Sequence, residues 1–131
     1  MGLTKFGEAV REARRKTKQT LQTMSDKLEV SPAFLSAIET GRNKVPMSFI
    51  HKIENFFDEL GYPSAAMELK QKAMVSNENV SLDGLSLQQK MLVAGFASSE
   101  FNKEQLQKFA ELLKTINKDL LKEKNDAGMQ S

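Results

Sequence analysis

Apolar residues recur at three- and four-residue steps through most of the chain, and runs that alternate apolar with polar are rare, so the pattern reads as helix rather than strand. Phe6, Ala9, Val10 and Ala13 share one face of a first predicted helix over 4–16. Thr20 is placed to cap a second, over 20–28, with Leu21, Met24 and Leu28 inward. Ser31 followed by Pro32 is a start signal, because a serine hydroxyl accepts from first-turn amides and proline fits the first helical position. That third helix runs to Thr40. Gly41 then supplies a positive-φ stop, and Arg42, Asn43 and Lys44 lead to Pro46. A fourth predicted helix turns Phe49, Ile50, Ile53, Phe56, Phe57 and Leu60 inward and ends before Gly61.

After Gly61 and Pro63 a helix over 64–74 is expected, followed by a polar linker over 76–79 and a turn at Asp83 and Gly84. Ser86 with Gln89, and Asn102 with Gln105, each have capping-box spacing. The helix after Ser86 carries Leu87, Met91, Val93, Ala94 and Phe96. The last helix, over 103–121, sets Leu106, Phe109, Leu113, Ile116 and Leu120 at the spacing of a helix–helix seam, and Phe101 is placed to staple onto Leu106. From Lys122 the polar tail is expected to fray. The predicted class is all-α: an N-terminal bundle over 1–62, a connecting helix and linker over 63–85, and a small helical region over 86–131 suited to dimerisation or partner binding.

Composition removes several chemistries. The 131 residues include no Cys, which excludes disulfides, thiolate metal sites and Cys nucleophiles and favours a cytoplasmic setting. No stretch is apolar for long enough to span a bilayer, and the opening residues offer neither a signal-type apolar run nor the Ser or Thr of a myristoylation site. No membrane partner is expected. His51, the one His, lies among Ile50, Lys52 and Ile53, where a partly buried structural role is expected. Phosphate-cradling glycine loops, zinc spacings and nucleophile elbows are missing, and Asp58 and Glu59 are adjacent on a helix, do not face each other and read as solvated. No enzymatic activity, metal or cofactor is expected.

Net charge is only +2, yet the ten cations up to Lys52 face five carboxylates, so this stretch carries +5 and the rest −3. Such a split suits a polyanion-binding module joined to one with a different partner, ordinary charge scatter being the alternative. Two short helices joined by a tight turn at Glu29 and Val30 have the dimensions of a helix-turn-helix. Met24, Leu28, Val30, Leu35 and Ile38 would fix their mutual angle. That leaves Ala33, Ser36, Ala37 and Thr40 outward, a small uncharged face able to approach base edges, while the capped N-terminus brings partial positive charge to phosphate. A plain bundle whose third helix is small-faced is the competing reading.

The run Val30-Ser31-Pro32-Ala33-Phe34-Leu35-Ser36-Ala37-Ile38-Glu39-Thr40-Gly41-Arg42 resembles the core of XRE-type regulators, the phage Cro/repressor-like helix-turn-helix proteins. The likeness extends back through Met24-Ser25-Asp26-Lys27-Leu28 to Arg14, a typical arginine position, and covers about the first sixty residues. It implies a repressor-like bundle that binds double-stranded DNA as a homodimeric repressor on a two-fold symmetric operator, in a bacterial, phage or plasmid setting close to the nucleoid. It implies an ion pair between Arg14 and Glu39, base-facing Pro32, Ala33, Ser36 and Ala37, and Ser31 and Thr20 near phosphates.

One departure bears on specificity. Where many members have a glutamine at the start of the second helix this chain has Leu21, with Gln19 and Gln22 close by, and the reading helix lacks a glutamine-to-adenine fork. Thymine-methyl contacts by Ala33 or Ala37, the Ser36 hydroxyl, Arg42, Asn43 and Lys44 of the loop, and duplex shape are then the available means, with Gln22 and Thr40 completing the contact set. Phe34 borders core and groove faces, packing in the core or stacking near the sugar–phosphate wall. Two rival functions fit the same residues: an antitoxin whose C-terminal half binds a toxin, and a protein–protein adaptor that uses only the scaffold.

Overall fold

A computed structural model describes residues 2–129, with side-chain surroundings to Lys118. The described residues are all-helical: α1 (Lys5–Lys16), α2 (Leu21–Leu28), α3 (Pro32–Glu39), α4 (Ile50–Glu59), α5 (Leu69–Asn77), α6 (Leu87–Ser98) and α7 (Lys103–Met129), with short 3-10 turns at Met47–Phe49 and Ser64–Met67. No described helix is long and apolar enough to cross a membrane. The chain divides into two compact units, Met1–Ser81 and Leu82–Ser131.

In the first unit α1, α2 and α3 start at side-chain caps. Thr4 Oγ1 accepts from Gly7 N at 3.0 Å, and Ser31 Oγ accepts from Phe34 N at 3.0 Å with Pro32 in the first helical position. Thr20 and Thr23 cap each other, Thr23 N donating to Thr20 Oγ1 at 3.0 Å and Thr20 N to Thr23 Oγ1 at 2.9 Å. One core gathers Phe6 and Val10 of α1, Met24 and Leu28 of α2, Leu35 and Ile38 of α3, and Ile53 and Phe57 of α4, together with Val45 and Phe49. Each such side chain contributes about 1.5–3 kcal/mol by leaving water.

The segment expected as a connecting helix and linker belongs to this core. Met67, Leu69 and Ala73 are buried in it, and α5 packs against α1. The helix expected over 64–74 is two pieces: Asp58 Oδ1 and Oδ2 accept from Ser64 N and Oγ at 3.1 and 3.0 Å, anchoring a 3-10 turn, and Glu68 takes a left-handed φ of 52° before α5. Asp58 is therefore a cap and not merely solvated. Asn77 is no linker residue either. Its side-chain amide accepts from Val45 N at 2.7 Å and donates to Val45 O at 2.8 Å, satisfying backbone groups that lie in a buried position. Leu60, expected inward, is 42% exposed where α4 ends. His51 is exposed rather than partly buried, because Ile50, Ile53 and Phe57 define the inward face of α4 and His51 falls off it.

The second unit begins α6 with Ser86 Oγ accepting from Gln89 N at 3.1 Å. Its α7 opens on a reciprocal box, Gln105 N to Asn102 Oδ1 at 2.8 Å and Asn102 N to Gln105 Oε1 at 3.0 Å. Phe101 has aromatic partners that the spacing did not suggest. It stacks on Phe96 at 4.8 Å and meets Phe109 edge-on at 5.1 Å, because two aromatic partners converge there. No described side chain of this unit is buried. The tail expected to fray is helical to Met129, consistent with its Lys, Glu and Ala content and lack of proline. Of the expected seam, Leu106, Phe109, Leu113 and Ile116 are 41% to 53% exposed, and Leu120 lies outside the described side chains.

Candidate nucleic-acid interface

Glu39, the last residue of α3, is held from two directions. Arg14 of α1 donates from Nη1 to Oε2 at 2.6 Å and from Nη2 to Oε1 at 3.0 Å, a two-pronged pair with side chains only 7% and 2% exposed. Arg14 Nη1 also reaches Met24 Sδ of α2 at 3.6 Å, so one guanidinium touches all three helices. Such parallel, charge-assisted bonds fix orientation as well as distance. From the other side the Glu39 carbonyl accepts from Thr4 N at 3.0 Å and Thr4 Oγ1 at 3.1 Å. Close approach demands glycine at Gly7, since a Cβ there would collide with that same carbonyl oxygen. Thr4 and Gly7 were not singled out by the sequence; the close approach that needs them is a tertiary contact with no local signature.

With its C-terminal end fixed and Leu35 and Ile38 in the core, α3 presents its N-terminal end outward. Ser31 and Ala33 are exposed, and Pro32, Ser36 and Thr40 are half-buried. Ala37 is a correction. It is only 7% exposed, and beyond Gly41, whose φ is +79°, the chain folds back so that Asn43 N donates to the Ala37 carbonyl at 3.2 Å. Ala37 therefore cannot offer its methyl to a groove in this conformation. Phe34 takes the packing alternative, meeting Phe49 edge-on at 5.6 Å against the core. The Thr40 hydroxyl donates back to Ser36 O at 3.0 Å, leaving it only acceptor capacity toward a ligand.

The flanking groups are polar and accessible. Thr20 and Gln22 are exposed, the first occupied in capping α2 and the second bonded to Asp26 Oδ1 at 2.9 Å. Arg42, Asn43 and Lys44 are exposed, and neither Arg42 nor Lys44 has a carboxylate within ion-pair distance among the described residues. Arg15 differs: it donates to Glu12 from Nε at 3.1 Å and Nη2 at 2.6 Å, a pair that holds the Glu12 carboxyl below its ordinary range and the Arg15 guanidinium above its own. The cations left open lie beside the C-terminal end of α3, and the capped amides lie at the other. Among the described residues no cluster of His, Cys, Asp or Glu could hold a metal ion. Comparison with protein-family profiles, with curated proteins and with solved structures finds no match to this chain.

Proposed function

We propose that this chain is a sequence-specific, double-stranded DNA-binding regulator of the XRE type, most simply a repressor that acts as a homodimer on a two-fold symmetric operator. In this reading α2 and α3 form the helix-turn-helix, and α3 enters the major groove. The observation that carries it is the buried Arg14–Glu39 pair, which ties the C-terminal end of an eight-residue helix to α1 while its N-terminal end stays accessible. A helix held in this way keeps its angle when one face is pressed against a duplex.

Roles divide along the helix. Pro32, Ala33 and Ser36 face base edges, the apolar ones suited to a thymine methyl and the hydroxyl to either donor or acceptor. Ser31 with the first-turn amides, Thr20, Arg42, Asn43 and Lys44 face phosphates, where they set register and carry affinity. Direct readout by so few groups is thin, so sequence-dependent duplex shape supplies part of the discrimination.

Titration of selected and scrambled duplexes over a range of salt tests the assignment. Ser36→Arg changes which sequences bind best, whereas Lys44→Ala weakens all of them and lowers the slope of log K against log salt by about one. Equal losses from both variants on every duplex contradict it. Undiminished duplex binding after Arg42→Ala and Lys44→Ala together contradicts it as well.

A further inference from the structure

The pair α6–α7 leaves nine large apolar side chains between 41% and 76% exposed among its described residues. That is on the order of 800 Å² of apolar surface, what each partner of a standard-size protein interface covers and more than single exposed residues on a monomer account for. Apolar residues surround α6. A helix of that kind is normally covered on every side, whereas α7 covers one side only, through the contact of Phe96 with Phe109 at 5.2 Å.

The open side of α6 has a defined centre. Advancing about 100° per residue, Leu87 and Met91 lie on one flank of Gly95 and Leu92 on the other, and no charged residue falls between them. Leu87, Met91 and Leu92 are 76%, 66% and 67% exposed. A Cβ at Gly95 would meet nothing within 4 Å. A mid-helix glycine weakens a helix, and nothing among the described residues lies close enough to need its missing side chain. The missing side chain leaves room for the close passage of another backbone.

Charge narrows what that backbone belongs to. The second unit has seven Lys and seven Asp or Glu residues, so its net charge is zero and it neither repels a copy of itself nor selects a strongly acidic or basic partner.

From area, charge balance and the open glycine together, we infer that the exposed apolar surface of α6–α7 seats a second copy of this chain, with the Leu87–Met91–Leu92 face of α6 at its centre and the two α6 helices crossing at Gly95. This names the surface that joins the homodimer proposed above and rests on that reading for the use made of the pair. The area and the glycine carry the interface independently of DNA.

Sedimentation velocity of the full chain from about 1 to 50 µM tests it. The unsubstituted chain sediments as a dimer. Gly95→Leu, which favours helix but fills the crossing, and Met91→Lys each raise the dissociation constant at least about tenfold, with helical circular dichroism retained. Lys90→Ala, on the opposite side of α6, leaves it unchanged. A monomer at every concentration, or a dimer that survives either Gly95→Leu or Met91→Lys, overturns the inference, the first outcome passing the face to a different protein such as a toxin. A monomeric Gly95→Leu chain that still binds a single half-site duplex locates the damage in the interface; loss of duplex binding by an intact dimer strikes the DNA reading instead.

Discussion

A buried charge that loses its partner keeps its desolvation cost without the attraction that offset it. Arg14→Ala should therefore lower the stability of the first unit by about 3–5 kcal/mol in denaturant titration, because Glu39 would stay 2% exposed with no cation beside it. Replacing both at once, as Arg14→Met with Glu39→Leu, should cost far less; equal losses from the single and double changes would show that packing, not charge, holds the site. The resemblance carried by residues 30–42 made this pair legible, and the Ser31 cap was legible from Ser-Pro alone. Ala37 was not. Helical phase put it outward; the stop at Gly41 was legible, but not that the chain beyond it returns far enough for Asn43 N to bond the Ala37 carbonyl. His51 misled for a simpler reason: apolar neighbours in sequence are not neighbours on a helix.

At the scale of elements, α1 to α3 follow from caps and apolar spacing and α4 from spacing alone, and the core takes in or packs against the residues that the spacing nominated, Leu60 excepted. The exception in kind is α5. It is short and polar at its end, it begins only after the left-handed Glu68, and besides buried Leu69 and Ala73 it is tied in by Asn77 reaching 32 residues back to Val45. Side-chain amides that complete a distant backbone leave no local signal. Asn77→Ala should cost about 1–3 kcal/mol and accelerate hydrogen exchange at the Val45 amide, whereas Asn77→Asp, which keeps the acceptor and loses the donor, should fall between. An unchanged exchange rate at Val45 would show that the contact is not maintained in solution. For the proposed reading helix the consequence is indirect, since Val45 closes the loop that holds Arg42 and Lys44.

For the whole molecule, the charge split seen in the sequence does not coincide with the two units. The acidic excess lies in residues 53–81, inside the first unit, while the second unit is neutral. What distinguishes the units is burial: the first closes a core, and the second, by its described side chains, closes none. The first unit is therefore the one able to support the proposed reading surface rigidly. Because the chain has no Cys, Ala33→Cys places a single thiol at the exposed N-terminal end of α3, and Ala65→Cys places one on an exposed 3-10 turn as a control. Disulfide trapping against duplexes that carry a thiol tethered to a base edge in either groove is the most direct measurement. Rapid trapping of Ala33→Cys by the major-groove thiol, with little from the minor-groove thiol or from Ala65→Cys, is the predicted result. Trapping of both cysteines at equal rates, or of neither at low ionic strength, would contradict the account.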